Sequence, residues 1–277
     1  MRRLLSLLLV LGLSAEFLPA CTDAEASTDY ISGAAARRSR GDSCAYETPT
    51  DHYWDFEPDD ADDDYLGHAN VDALEADSFT VVGRIRVEDL ANDDGTVFSN
   101  ITGAGDDNWA LYFQDPNTCA ALYAENNCEG FSTDATATAT WVSGEDVLLA
   151  MTFDYSGNAG AGDSTLKIYI IEDGGTTVTT DATAVGPVLD CTAVLRIASI
   201  HAAEANMSLD GRMYWTAYYA SVIAQGDLED MFDEVSHPAC DFTPVLYEDF
   251  HEAVAATNTT EVGAYEFDVF GSPVQGP

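Results

Sequence analysis

Asp59, Asp60, Asp62, Asp63 and Asp64 fall within six consecutive positions of the 277-residue chain. Carboxylates packed this closely in a loop that also offers free carbonyls are donors for a hard cation. Ca²⁺ takes about six to eight oxygens at roughly 2.3–2.6 Å. Asp210, in the turn Asp210-Gly211, can join them if the strands that flank the two segments are neighbours. The expected Ca²⁺ set is therefore Asp59, Asp60, Asp62, Asp63 and Asp210, with Asn92, Asp93 and Asp94 before Gly95 as a second, weaker candidate. A solvated acidic loop is the competing reading in a chain this acidic.

The other reactive side chains point away from catalysis. His52, His68, His201, His237 and His251 fall at no metal-ligand spacing, and surface or strand-edge positions are expected for them. GxSxG, HExxH and P-loop patterns are absent from the sequence, so no enzyme is expected. Aromatic rings can serve as platforms for a ligand, and Trp109, Tyr112 and Trp215 are the candidates for that role. Aromatics in strands are more often core, and core is the leading reading for each of Trp54, Trp109, Trp141 and Trp215.

Charge narrows the partners. Asp and Glu total 49 against ten Lys and Arg, a formal net charge of −39. Half of the basic residues precede Gly41, which leaves Arg84, Arg86, Lys167, Arg196 and Arg212 for the rest of the chain. Such a body repels phosphate backbones, so nucleic acid is excluded as a partner. It fits a protein of high-salt surroundings, one loaded with Ca²⁺, or an acidic secreted protein.

Export is expected from the first residues. Arg2-Arg3 precede an apolar run, Leu4 to Leu13, too short to span a bilayer. Leu18-Pro19-Ala20-Cys21 resembles a lipobox, with Cys21 as the lipidated residue; ordinary cleavage near Ala20 is the alternative. Residues 1–20 then form a signal peptide and 21–43 a flexible linker, small and polar. The expected destination is the cell surface or outer membrane as a lipoprotein, or secretion, with the membrane reached only through the signal or a lipid anchor. An oxidising compartment favours disulfides. Cys119 and Cys128 can close one short loop, and Cys44 and Cys240 bracket the domain, leaving Cys191 over or exchanging with Cys44.

The elements that must position these groups are strands. His52 to Phe56 alternates bulky and polar residues. Ser78 to Val87 is β-branched with Gly83 inside it as a bulge candidate. Thr96–Ser99, Trp109–Phe113, Thr133–Trp141, Asp146–Tyr155, Ser164–Ile171, Thr176–Thr180 and Val194–Ser199 follow, separated by Gly, Asp and Asn turns. The stretch Leu209–Phe232 reads as a turn, an aromatic last strand and a short acidic helix. This pattern predicts an all-β, two-sheet antiparallel β-sandwich of jelly-roll type over residues 44–240. Val245–Phe250 and Tyr265–Phe270, in the segment 241–277, are further strands or a tail packing on the sandwich.

Residues 52–232 resemble a laminin-G-like domain of the concanavalin A-like lectin/glucanase superfamily, of the bacterial or phage surface type. The resemblance rests on elements in order: Tyr53-Trp54-Asp55-Phe56, Ser78 to Val81, Trp109-Ala110-Leu111, Leu149 to Asp154, and Leu166 to Ile170 with Asp173-Gly174. Leu195-Arg196-Ile197, Asp210 to Met213, Tyr218-Tyr219 and Asp227-Leu228 complete it. The sequence departs from that family in its aspartate-rich first loop and at Tyr214, where relatives often carry Asp. The resemblance implies a sandwich that often binds structural Ca²⁺ and serves adhesion or carbohydrate recognition. Glycanases of this fold use a Glu-x-Asp-x-x-Glu strand. Glu266-Phe267-Asp268 begins such a motif, but Gly271 stands where the third carboxylate belongs. A surface module binding a glycan or cell-surface protein is expected, with an envelope or appendage subunit as the alternative and a glycan hydrolase third.

Overall fold

The computed structural model describes residues 50, 52–57, 64–69, 71–88, 95–101, 107–114, 118–125, 131–138, 141–158, 162–184, 193–200 and 208–276. The signal and lipobox segment with Cys21, the linker, Asp59, Asp60, Asp62 and Asp63, the Asn92–Asp94 run, and Cys44, Cys128 and Cys191 lie outside these residues, as does the side chain of Cys119. Cys240 is disulfide-bonded.

One sheet, sheet A, runs in the order β10 (Gly175–Ala184), β9 (Ser164–Glu172), β8 (Asp146–Asp154), β3 (Phe79–Val87), β12 (Gly211–Tyr219), β1 (Tyr53–Phe56), β16 (Val274–Gly276). Strand β13 (Leu246–Glu248) pairs with the far end of β12. Sheet B runs β14 (Thr257–Thr259), β15 (Glu266–Phe270), β2 (Tyr65–His68), β11 (Leu195–Ile197), β4 (Gly95–Ile101), β5 (Asp107–Gln114), β6 (Thr118–Glu125), β7 (Phe131–Thr138). The pairings are antiparallel, and the result is an antiparallel β-sandwich. One short α-helix, α1 (Gln225–Phe232), and one 3-10 turn, Asp72–Leu74, lie among the described residues, and no helix there is long and apolar enough to cross a membrane.

The sheets enclose an aromatic core. Tyr218 stacks on Phe79 and on Trp109, both at 5.6 Å, and Phe98 meets Trp109 edge-on at 5.2 Å. The indole N–H of Trp109 donates to the Leu74 carbonyl at 3.2 Å, and the Tyr218 hydroxyl accepts from the Ala76 N–H at 3.1 Å. Burying both rings with their polar atoms satisfied removes the usual cost of a polar group in a core.

The irregularity expected at Gly83 lies instead across the ladder, in β12. The β3–β12 register shifts between Met213 and Trp215. The extra residue lets the adjacent Tyr214 and Trp215 face the same side, reversing the alternation for the rest of the strand. Gly83 is small for a packing reason: a Cβ there would sit 2.4 Å from Val97 Cγ1 of the opposite sheet.

Because of the bulge, Trp215, Ala217 and Tyr219 turn outward from the main core and form a second one with Val82, Leu148, Ala150 and Tyr247. Leu228, Met231 and Phe232 of α1 cover it. Segment Leu209–Phe232 thus has the expected turn, strand and helix, but it is not the last strand. The C-terminal segment completes both sheets: β15 adds to β2, and β16 to β1.

Candidate functional site

The outer face of sheet A is closed. Arg84 and Arg86 both reach Asp146, at 3.2 and 2.6 Å, and Arg84 also approaches Glu234 at 3.4 Å and donates to the Phe232 carbonyl. The Tyr214 hydroxyl donates to Asp146 at 3.1 Å. Burial, reinforced by the Asp146 charge, pushes its pKa up to about 12. Tyr214, standing where an acid was the family expectation, therefore seals a polar knot. Arg212 pairs with Asp55 at 3.7 Å and Glu88 at 3.6 Å and lies over the Tyr53 ring at 4.6 Å.

Two of the three proposed aromatic platforms fail on burial. Trp109 and Trp215 are fully buried, one in each core, and present no face to a ligand. Their strand positions are inward-facing, or outward beneath α1. Tyr112 is half-buried and packs with Ile101, Ala110 and Ile200.

The outer face of sheet B is different. Strand alternation in Leu195-Arg196-Ile197 sends the two aliphatic residues into the core and Arg196 outward. The registers then place Asp268, Gly67, Arg196 and Ser99 side by side across β15, β2, β11 and β4. With strands about 4.8 Å apart, Asp268 and Arg196 stand roughly 10 Å from one another, separated by a residue with no side chain. Gly67 is thus the floor of a pocket of about 200 Å³, lined by Tyr65, Gly67, His68, Ala69, Val194, Arg196, Asp268 and Phe270. One wall is the pair Tyr65–Phe270, stacked at 4.4 Å with planes 10° apart. Phe270 is 42% exposed, an unusual position for a large apolar ring.

Arg196 is the arginine that no carboxylate neutralises among the described residues. It donates to the carbonyls of Ile101 and Ile200, each at 3.3 Å, and lies against the Tyr65 ring at 5.8 Å. Its Nε has no hydrogen-bond partner. Burial lowers the guanidinium pKa, and Tyr65 partly offsets that. Ser99 braces the same segment, donating to the Ser199 and Ile200 carbonyls at 2.8 and 3.0 Å.

Carboxylates gather at two other places. Asp210 is joined by Glu57 and Glu88, with one carboxylate oxygen from each within 4.8 Å of the others. Glu57 is the last described residue before the acidic run, and the two glutamates beside Asp210 went unnoticed in the sequence. Asp64 serves the backbone, accepting from the N–H groups of Glu57 at 3.1 Å and Ser272 at 2.5 Å. Burial and the Glu88 charge raise the Asp55 pKa against the pull of Arg212, and burial with Asp55 raises that of Glu57.

The second group is Asp249, His251 and Glu261, again with ligating atoms within 4.8 Å of one another. His251, expected at the surface or a strand edge without a ligand set, has Nδ1 2.5 Å from Asp249 Oδ1 and 3.2 Å from Glu261 Oε1. Burial raises the Glu261 pKa to about 7, helped by the Asp249 charge, and raises that of the adjacent Glu248 well above the ordinary range.

No protein-family model matches this chain, and no curated protein matches it. Solved structures share its fold. A candidate carbohydrate-binding protein from Bacteroides ovatus superposes with a TM-score of 0.57 at 14% identity, over 81% of this chain and 59% of that one. The heptameric SAP-like pentraxin of Limulus polyphemus gives 0.54 at 12% identity, over 83% of this chain and 97% of that one. This chain spans 59% of the length of the first. The fold is a jelly-roll β-sandwich.

Proposed function

We propose that this chain is an exported, surface-anchored module of laminin-G-like type that binds a neutral glycan in the pocket of sheet B. The observation that carries the reading is the outward row Asp268–Gly67–Arg196 beside the stacked, exposed Tyr65–Phe270 wall. A sugar ring offers an apolar C–H face to an aromatic and hydroxyls that both donate and accept. The pocket matches that with rings on one side, a guanidinium donor and a carboxylate acceptor. A guanidinium and a carboxylate together carry no net charge, and a body of −39 repels anionic ligands at long range. Neutral hydroxyl-rich glycans are therefore favoured over acidic ones. The Bacteroides ovatus structure, a candidate carbohydrate-binding protein, supports the class of ligand through the shared fold.

Binding without turnover is part of the proposal. Glu266 and Asp268 sit on one exposed face of β15, and Gly271 leaves the third carboxylate missing. The signal segment with Cys21 as lipid attachment, and the disulfide at Cys240 with Cys44 as its partner, belong to the same reading. So does Ca²⁺ at Asp210, with Glu57 and Glu88 at the mouth of the acidic loop. Millimolar Ca²⁺ should then raise the melting temperature, and an unmoved melting curve would remove calcium from the account.

The test of the whole is a glycan array probed with the purified chain and with Phe270→Ala. Binding to neutral glycans that Phe270→Ala weakens at least ~10-fold, about 1.4 kcal/mol, supports it. Retention only of acidic glycans, or polysaccharide turnover abolished by Glu266→Gln, contradicts it.

A further inference from the structure

The three side chains Asp249, His251 and Glu261 come from two segments that β13 and its bridge hold together. Tyr247 pairs with Val262, which fixes Glu261 beside the end of β13. Asp249 and His251 follow β13 directly and flank Phe250, whose φ of 55° lies in the left-handed region where non-glycine residues are uncommon. That conformation is locked by packing, since Phe250 is fully buried against Trp54 at 5.5 Å and Phe56 at 5.9 Å. The backbone is thus held in a costly shape that brings the carboxylate and imidazole on either side of Phe250 together.

The neighbours leave ligating atoms available. The Asp249 N–H donates to Glu261 Oε2 at 3.2 Å, which orients that carboxylate while its Oε1 faces His251. The His251 carbonyl accepts from Gln275 Nε2 at 2.7 Å, and the Glu252 carbonyl accepts from Trp54 Nε1 at 3.0 Å, pinning the backbone on which the imidazole stands. Asp249 and Glu261 side chains are 6% and 8% exposed, whereas His251 is 37% exposed, so the group is walled but open to solvent at the imidazole.

A second observation comes from Glu248. This residue is fully buried, its Oε1 accepts the Phe250 N–H at 2.9 Å, and the Asn258 side chain hydrogen-bonds its carboxyl group. Gathering several carboxyl groups in a buried place costs free energy unless some positive group faces them. The arginines that bind carboxylates are committed elsewhere, Arg84 and Arg86 to Asp146 and Arg212 to Asp55 and Glu88. Two carboxyl groups and one imidazole therefore share a walled site with no arginine or lysine ion pair among the described residues.

We propose that Asp249, His251 and Glu261 form a binding site for one divalent transition-metal ion, with Zn²⁺ as the representative, and with water completing the coordination. An imidazole with carboxylates is a donor set for Zn²⁺ and its first-row neighbours, whereas Ca²⁺ and Mg²⁺ take oxygen alone. Donors at about 2.1 Å in tetrahedral array lie roughly 3.4 Å apart. The His251–Glu261 separation of 3.2 Å is already close to that, and Asp249 has to withdraw only slightly from 2.5 Å. The site closes β13 against the segment carrying Val262, so the metal acts as a clip between strands of sheet A and the C-terminal part of the chain.

The experiment is calorimetric titration of ZnCl₂ into the chelator-stripped full chain, alongside His251→Ala and Glu261→Gln, with far-UV circular dichroism confirming that each variant is folded. One saturable equivalent of Zn²⁺ is expected, weakened at least ~10-fold in each variant, with CaCl₂ failing to compete. Titration of CoCl₂ into the unaltered chain gives an independent readout that needs no variant. Visible bands of a low-symmetry Co²⁺ centre, displaced by Zn²⁺, are expected. Zn²⁺ binding of equal strength in folded His251→Ala, or neither a saturable equivalent nor a Co²⁺ band in the unaltered chain, overturns the proposal. Neither outcome touches the glycan pocket, which lies on sheet B.

Discussion

The outer faces of the two sheets use their arginines in opposite ways. On sheet A, Arg84, Arg86 and Arg212 are each tied to carboxylates, and α1 with its aromatic neighbours roofs the strands. On sheet B, Arg196 has backbone carbonyls and an aromatic ring but no carboxylate, and a glycine beside it opens a pocket instead of a roof. Among the four described arginines, Arg196 is the one without a carboxylate partner. Sheet A's outer face is a second core that stabilises; on sheet B a largely buried Arg196 lines an open pocket beside the exposed Phe270.

The contrast can be broken most severely on sheet A. Trp215→Ala empties a fully buried indole site beneath α1 and should cost about 3–5 kcal/mol in chemical denaturation. Asp146→Ala comes next. It strands Arg84 and Arg86 together with the Tyr214 hydroxyl, and, since Asp146 is 20% exposed, a loss of about 1–3 kcal/mol is expected. Neither change should remove glycan binding from molecules that remain folded.

Sheet B variants should do the reverse. Phe270→Ala and Gly67→Val are expected to leave stability within ~1 kcal/mol of the parent. A Cβ at Gly67 meets only the Phe270 ring edge at 3.0 Å and Tyr65 at 3.4 Å, both movable side chains. Calorimetry should nonetheless show the pocket lost in both variants.

The smallest effect is on pH dependence. Burial raises the folded-state pKa of Asp55, Glu57, Glu248 and Glu261, the last to about 7. Between their unfolded values near 3.8–4.5 and the raised ones, the folded state holds more protons than the unfolded chain. Stability of the metal-free protein should thus be full below about pH 4 and fall as pH rises toward 7, with salt softening the fall. A melting temperature that climbs steadily over that window would show that these acids are not held protonated.

Much of sheet A was legible because its strands carry their own signal. Ser78–Val87, Asp146–Tyr155 and Ser164–Ile171 are long apolar runs, and β3, β8 and β9 fall on them. Strand β12 misled on function for the same reason. Trp215 offered itself as a platform candidate beside the leading reading of core, and a run without alternation is the mark of burial on both faces. The pocket was half visible. Arg196 between two aliphatic residues already announces an outward cation, whereas the glycine floor depends on β2, a four-residue strand beside an acidic loop with no periodicity of its own. That Gly67 stands between Asp268 and Arg196 is a matter of long-range register, which no local pattern carries. His251 and Glu261 are ten positions apart, and only the left-handed Phe250 and the Tyr247–Val262 bridge bring them together.

The most direct test of the central claim is isothermal titration of a neutral oligosaccharide, chosen from array binding, into the unaltered chain and into Gly67→Val. The account predicts saturable binding to the first and none to the second at equal foldedness. Undiminished binding to Gly67→Val would place the ligand elsewhere and contradict it.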